Sequence, residues 1–191
     1  MNRSTLTQFA VAVFTMLSLV GSGWAQKSPA ASAPAMTASA PSSLARDDVA
    51  FLKQAAQNGH AEVEGSKLAE RKSANEKVKA FAKMMIDDHT KAGTELNALA
   101  TSKGVDIPST PSSAQQAKLK QLDAADGAKF DEKYTDELGV KAHQDTIKLF
   151  QKAAARAKDA EVKAWAGKTL PTLQQHLDQA RELKKAMSAK K

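Results

Sequence analysis

Val78-Lys-Ala-Phe-Ala-Lys-Met-Met-Ile-Asp-Asp-His89 decides the class of fold. Val78, Phe81, Met85 and His89 recur in steps of three and four, which places them on one face of an α-helix. The same rhythm continues through Ala92, Leu96 and Leu99. It stops before Gly104-Val-Asp-Ile-Pro108, a glycine-then-proline signal that ends helices. Working outward, Leu52, Ala55, Gly59, Ser66 and Ala69 mark a preceding helix, broken at Ser73-Ala-Asn75. Val140, Ile147, Phe150 and Ala154 mark a third helix, with Phe130, Asp131 and Tyr134 at its start. Val162, Trp165, Leu173, Ala180 and Leu183 mark a fourth, set off by Lys158-Asp159. Ser112 to Ala125 reads as a short extra helix within a long connection.

Strand-like β-branched runs are almost absent, so the expected class is all-α. Two helical hairpins with a long connection between helices 2 and 3 make a ferritin-like four-helix bundle. The halves echo one another: Val78-Lys-Ala-Phe-Ala82 opens the second helix and Val162-Lys-Ala-Trp-Ala166 the fourth. Their matching places favour duplication of one hairpin.

The informative residues are those that interrupt the apolar stripes. Glu62 stands on the core side of the first helix, His89 of the second, His143 of the third and His176 of the fourth. Glu62 and His89 are equally far from the first turn, and His143 and His176 equally far from the second. Each pair is therefore level within its hairpin. Three imidazoles and a carboxylate can fill a four-coordinate shell for zinc, iron, manganese or copper. Asp88, Asp131 and Tyr134 are candidates to orient those ligands from behind. The competing reading is a buried polar network in which Glu62 accepts from the histidines and fixes the register of the bundle. His60 falls on the solvated stripe of Lys53, Gln57, Glu64 and Lys67 and is excluded. Met84 and Met85 point to different faces and read as core filling. Leu170-Pro171 should kink the fourth helix just before His176.

The ends of the chain bear on its compartment. Arg3 is followed by an apolar run, Phe9 to Val20, too short to span a bilayer, and Gly23-Trp24-Ala25 offers small residues for cleavage. Residues 1–25 are expected to be a signal peptide. Residues 26–46, rich in Ala, Ser and Pro, read as a disordered linker. Residues 47–187 form the bundle and 188–191 a basic tail. The expected compartment is the periplasm. Cysteine is absent, so disulfides cannot staple the fold and a helical core must hold it. The formal net charge is +7, and the leader carries only Arg3 of it. Export and an aromatic content of 5% argue against nucleic acid as a partner. Weak contact with an anionic envelope surface remains open.

Ala61-Glu62-Val63, Val78 to Ala82, Asp87-Asp88-His89, Phe130-Asp131 with Tyr134, His143, and Leu170-Pro-Thr-Leu with His176 together resemble DUF4142, a family of exported bacterial proteins with ferritin-like folds. The resemblance covers about Asp47 to Leu183. It implies the fold and the compartment, and it implies no activity. Di-iron members of the wider ferritin-like group carry Glu-x-x-His motifs. Here Ile86 precedes His89 by three residues and Leu173 precedes His176 by three. The expected site therefore holds one metal ion, without ferroxidase chemistry. There is no phosphate loop, nucleophile elbow or HExxH pair, so the reading leans away from an enzyme. An envelope scaffold and an enzyme built on a single metal ion are the alternatives to a metal-binding bundle.

Overall fold

The computed structural model describes residues 44–189. The expected signal peptide, most of the expected linker, and Lys190 and Lys191 lie outside the described residues. α1 (Arg46–Lys72) and α2 (Glu76–Ser102) form the first hairpin. α3 (Ser113–Asp123) and α4 (Gly127–Tyr134) follow. α4 passes without a break into a π-helical segment (Thr135–Ala142) and then into α5 (His143–Arg156). α6 (Ala160–Ser188) closes the second hairpin. α1 packs chiefly on α2 and α5 on α6, so two tight helix pairs are joined by a long connector, a four-helix-bundle arrangement. No helix among the described residues is long and apolar enough to cross a membrane.

Local chemistry sets the ends. Asn75 caps α2 by accepting from the Lys77 amide, and Asp159 caps α6 by accepting from the Glu161 and Val162 amides. Ser112 and Gln115 form a reciprocal capping box on α3. Gly104, at φ +63°, ends the excursion after α2 in a conformation that costs glycine least. Asp48, 2% exposed, accepts from the amides of Lys158 and Asp159 and so pins the α5–α6 turn to α1.

The third helix departs from the expected single α-helix. It begins at Gly127, ahead of Phe130, and its middle is π-helical. Gly139 in that segment lies so close to α6 that an added Cβ would stand 2.9 Å from Ala180 Cβ. Lys184 reaches Asp136 at 2.6 Å and ties the same segment to α6. α6 runs through Pro171 as one helix, although proline has no amide for the carbonyl four residues back.

The core is two apolar clusters stacked along the bundle. Phe51, Leu52, Leu96, Phe150 and Trp165 belong to one. Val78, Phe81, Met85, Phe130 and Tyr134 belong to the other. The echoed pentapeptides occupy opposite clusters, with Val78 and Ala82 matched by Val162 and Ala166, all 0% exposed. Between the clusters lies a polar layer.

Candidate metal centre

That layer is made by one residue from each long helix, each placed by the apolar stripe on which it falls. Glu62 sits between Ala55 and Ala69 on α1, and His89 between Met85 and Leu96 on α2. His143 opens α5, and His176 follows Leu173 on α6. All are buried: His143 is 0% exposed, His176 1%, Glu62 2% and His89 7%. The structure brings all four together as a cluster capable of coordinating a metal ion. One nitrogen from each histidine lies within 4.8 Å of the other two.

Hydrogen bonds assign the ring nitrogens. His143 Nδ1 stands 2.9 Å from the Leu138 carbonyl. A carbonyl only accepts, so Nδ1 carries the proton and Nε2 of the neutral ring carries the lone pair. His176 Nε2 donates to Asp88 Oδ2 at 2.9 Å, which leaves the lone pair on Nδ1. Those two lone-pair nitrogens face each other at 3.4 Å. Neither has a proton for the other, so the contact is two acceptors pressed together in a buried space. His89 Nδ1 lies 3.1 Å from Glu62 Oε2, and its Nε2 is buried with no hydrogen-bond partner.

Burial dominates the electrostatics. Desolvation holds His89 well below the usual imidazole range, assisted by His143 and His176. It lowers His143 to about 4 against the bond to Leu138, and it lowers His176 despite the Asp88 carboxylate. All three rings are therefore neutral near pH 7, the form that ligates metals. Burial raises the Glu62 carboxyl from its usual 4.5 to about 8. Glu62 Oε1 has no hydrogen-bond partner and lies 3.9 Å from His143 Nδ1.

The remaining candidates are distributed unevenly. Asp88 backs a ring, but that of His176 across the interface rather than of His89 beside it in sequence. Tyr134 is fully buried and pairs its hydroxyl with Ser66 Oγ at 2.8 Å. Asp131 is buried on α4 with Oδ1 unpartnered, and it hydrogen-bonds none of the three rings. His60 lies outside the cluster and half-buried. Sequence reading missed the Leu138 carbonyl, which sits in the π-helical segment. π-turns recur at functional sites, and here the segment supplies the acceptor that orients His143. Gly139 was the only hint of it, and a lone glycine does not distinguish π from α.

Fold and site together define a helical bundle with a buried histidine–glutamate centre. The profile of DUF4142, described as a domain of unknown function, matches residues 33–183, and the chain belongs to that family. No curated protein matches the sequence. The fold is similar to that of a DUF305 fragment from Deinococcus radiodurans, with a TM-score of 0.65 at 12% identity, covering 76% of this chain and 98% of that one. It is also similar to a DUF305 protein from Streptomyces coelicolor that is described as secreted. That match has a TM-score of 0.64 at 15% identity and covers 74% of this chain and 92% of the other.

Proposed function

We propose that this protein is an exported bundle that binds one transition-metal ion through His89, His143 and His176, for storage, buffering or protection against metal stress. The observation that carries the reading is the contact between His143 Nε2 and His176 Nδ1. Leu138 and Asp88 take the protons of those rings and turn both lone pairs inward. Two imidazoles on one ion, at about 2.0–2.1 Å each and near the tetrahedral angle, stand about 3.4 Å apart. The observed separation is 3.4 Å.

Zinc, copper, iron and manganese all accept imidazole, and the ion is set by geometry and supply. Glu62 and Asp88 then act as the carboxylates that orient His89 and His176. A cation on His89 Nε2 favours the ionised form of Glu62, with His89 Nδ1 donating to it. Uptake of the ion therefore releases a proton. Export to the periplasm is supported by the leader-like Met1 to Ala25 and by the secreted description of the similar Streptomyces protein.

The test is elemental analysis of protein purified without chelators or a histidine tag, alongside His143→Ala and His176→Ala. Near-stoichiometric metal in the wild type, lost in both variants, is the expected outcome. No metal in any sample and none taken up on titration leaves the cluster as a packing network in an envelope scaffold.

A further inference from the structure

The two hairpins repeat one another closely enough to be compared residue by residue. With Val78 laid on Val162, the N-caps Asn75 and Asp159 coincide. So do Ala69 and Ala153, whose carbonyls each accept the amide that closes a helix. Farther back Ser66 meets Phe150 and Glu62 meets Thr146, all of them buried. Beyond that the spacing fails: Asp48, Leu52 and Ala56, all buried, would meet Glu132, Asp136 and Val140, all half-buried. One residue earlier the match returns. Asp48 then meets Asp131, Phe51 meets Tyr134, Leu52 meets Thr135 and Ala56 meets Gly139, every one of them buried.

Side-chain contacts support the shifted match independently. Phe51 stands 5.9 Å from Trp165, and its counterpart Tyr134 stands 6.1 Å from Phe81, the counterpart of Trp165. Phe51 also packs on Phe150 at 5.1 Å, and Tyr134 pairs with Ser66, which holds the place of Phe150. The second hairpin therefore carries one residue more than the first, between Gly139 and Thr146. An extra residue in an α-helix turns everything beyond it by about 100°. Here both flanks keep their faces, because the π-helical segment, Thr135–Ala142, takes the residue into its wider turns.

The extra residue falls beside the one histidine with a backbone anchor. The His143 amide bonds the Val140 carbonyl, which leaves that of Leu138 for the ring Nδ1. With one residue fewer, Leu138 would lie four places before His143, and in an α-helix its carbonyl would accept that amide. Nor is the cluster itself repeated. Glu62 corresponds to Thr146, His89 to Leu173, His176 to Ala92 and His143 to Gly59.

We propose that the extra residue of the π-helical segment is a positioning device for the metal centre, needed for ligation by His143 and dispensable for the fold. It frees the Leu138 carbonyl, which fixes the ring proton on Nδ1 and aims the Nε2 lone pair at the cluster. Without it the ring can carry its proton on Nε2 and donate to His176 Nδ1, which stands 3.4 Å away. That bond closes both nitrogens to an ion. The effect on affinity rests on the metal reading, whereas the fold and the tautomer involve no ion.

The test is deletion of the exposed Lys141 from the full chain, with deletion of the exposed Lys83 from regular α2 as the contrast. Removing Lys141 should preserve a cooperative thermal transition, whereas removing Lys83 should abolish it by turning part of α2 away from its core face. Long-range proton–nitrogen NMR of metal-free protein at pH 7 should place the His143 proton on Nδ1 in the wild type and on Nε2 in the deletion. Zinc(II), titrated in competition with a chromogenic chelator, should bind the deletion about 10–100-fold more weakly than the wild type. If the chain lacking Lys141 fails to fold, deletion of Ala142 takes its place, and failure of both overturns the proposal. So does a wild-type ring protonated on Nε2, a tautomer that the deletion does not move, or zinc affinity that it leaves unchanged. A wild type that takes up no zinc fails the metal reading instead, and the folding and tautomer results still decide whether the extra residue positions His143.

Discussion

Replacing Glu62 by glutamine should move stability and metal affinity in opposite directions. In the metal-free protein the Glu62 carboxyl is fully buried, and desolvation raises it from 4.5 to about 8. Between those values the native state holds a proton that the unfolded state has released. The stability tied to this group is therefore fully present below pH 4.5 and is lost as pH rises to about 8, at about 1.4 kcal/mol per pH unit. At pH 7 the accumulated loss is on the order of 3 kcal/mol. Glutamine has nearly the same shape, cannot ionise, and can donate its amide to His89 Nδ1 as the protonated carboxyl does. Glu62→Gln should therefore match the wild type near pH 4.5 and exceed it by about 3 kcal/mol at pH 7. The same change removes the carboxylate behind His89, and metal affinity should fall about 10–100-fold. The assay is urea denaturation of chelator-treated protein at several pH values from 5 to 8, with metal titration of both chains at pH 7. A stability difference that does not vary with pH, or a glutamine variant less stable throughout, would refute the electrostatic argument.

The histidines bring an opposite pH dependence of their own. Their pKa values are depressed, so the stability they contribute is present above about 6.5 and is lost as pH falls toward about 4 for His143. In calorimetry, metal-free wild type should therefore lose stability relative to His143→Gln as pH falls across that range. Asp88→Asn should lower metal affinity about 10–100-fold by removing the carboxylate that orients His176, read by competition with a chromogenic chelator. Gly139→Ala should cost about 1–3 kcal/mol, because the new Cβ would crowd Ala180 on α6. Gly167→Ala, exposed on α6 with only ordinary contact to Ala154, should instead stabilise by up to about 1 kcal/mol in thermal melts. Asp48→Ala should destabilise by about 1–3 kcal/mol by stripping the acceptor from the buried α5–α6 turn amides.

The sequence by itself determined the helices and the layer they share. Apolar spacing is a local property, since each side chain's direction on a helix follows from its number along it. The stripes of Leu52, Phe81, Phe150 and Trp165 therefore identified the core faces, and Glu62, His89, His143 and His176 stood out as polar exceptions on them. Counting from the turns also set their heights, because an antiparallel hairpin keeps equal distances level. Only the tertiary structure decided which nitrogen faces which partner. Asp88 precedes His89 in the chain, yet it serves His176, since adjacent helical residues diverge by about 100° and a neighbouring helix is nearer than the next residue's ring. The tautomer of His143 depends on the Leu138 carbonyl, exposed to it in a π-helical segment that no local pattern marked. Periodicity assigns a side chain to a face; what waits across that face is set by the packing of residues far apart in sequence.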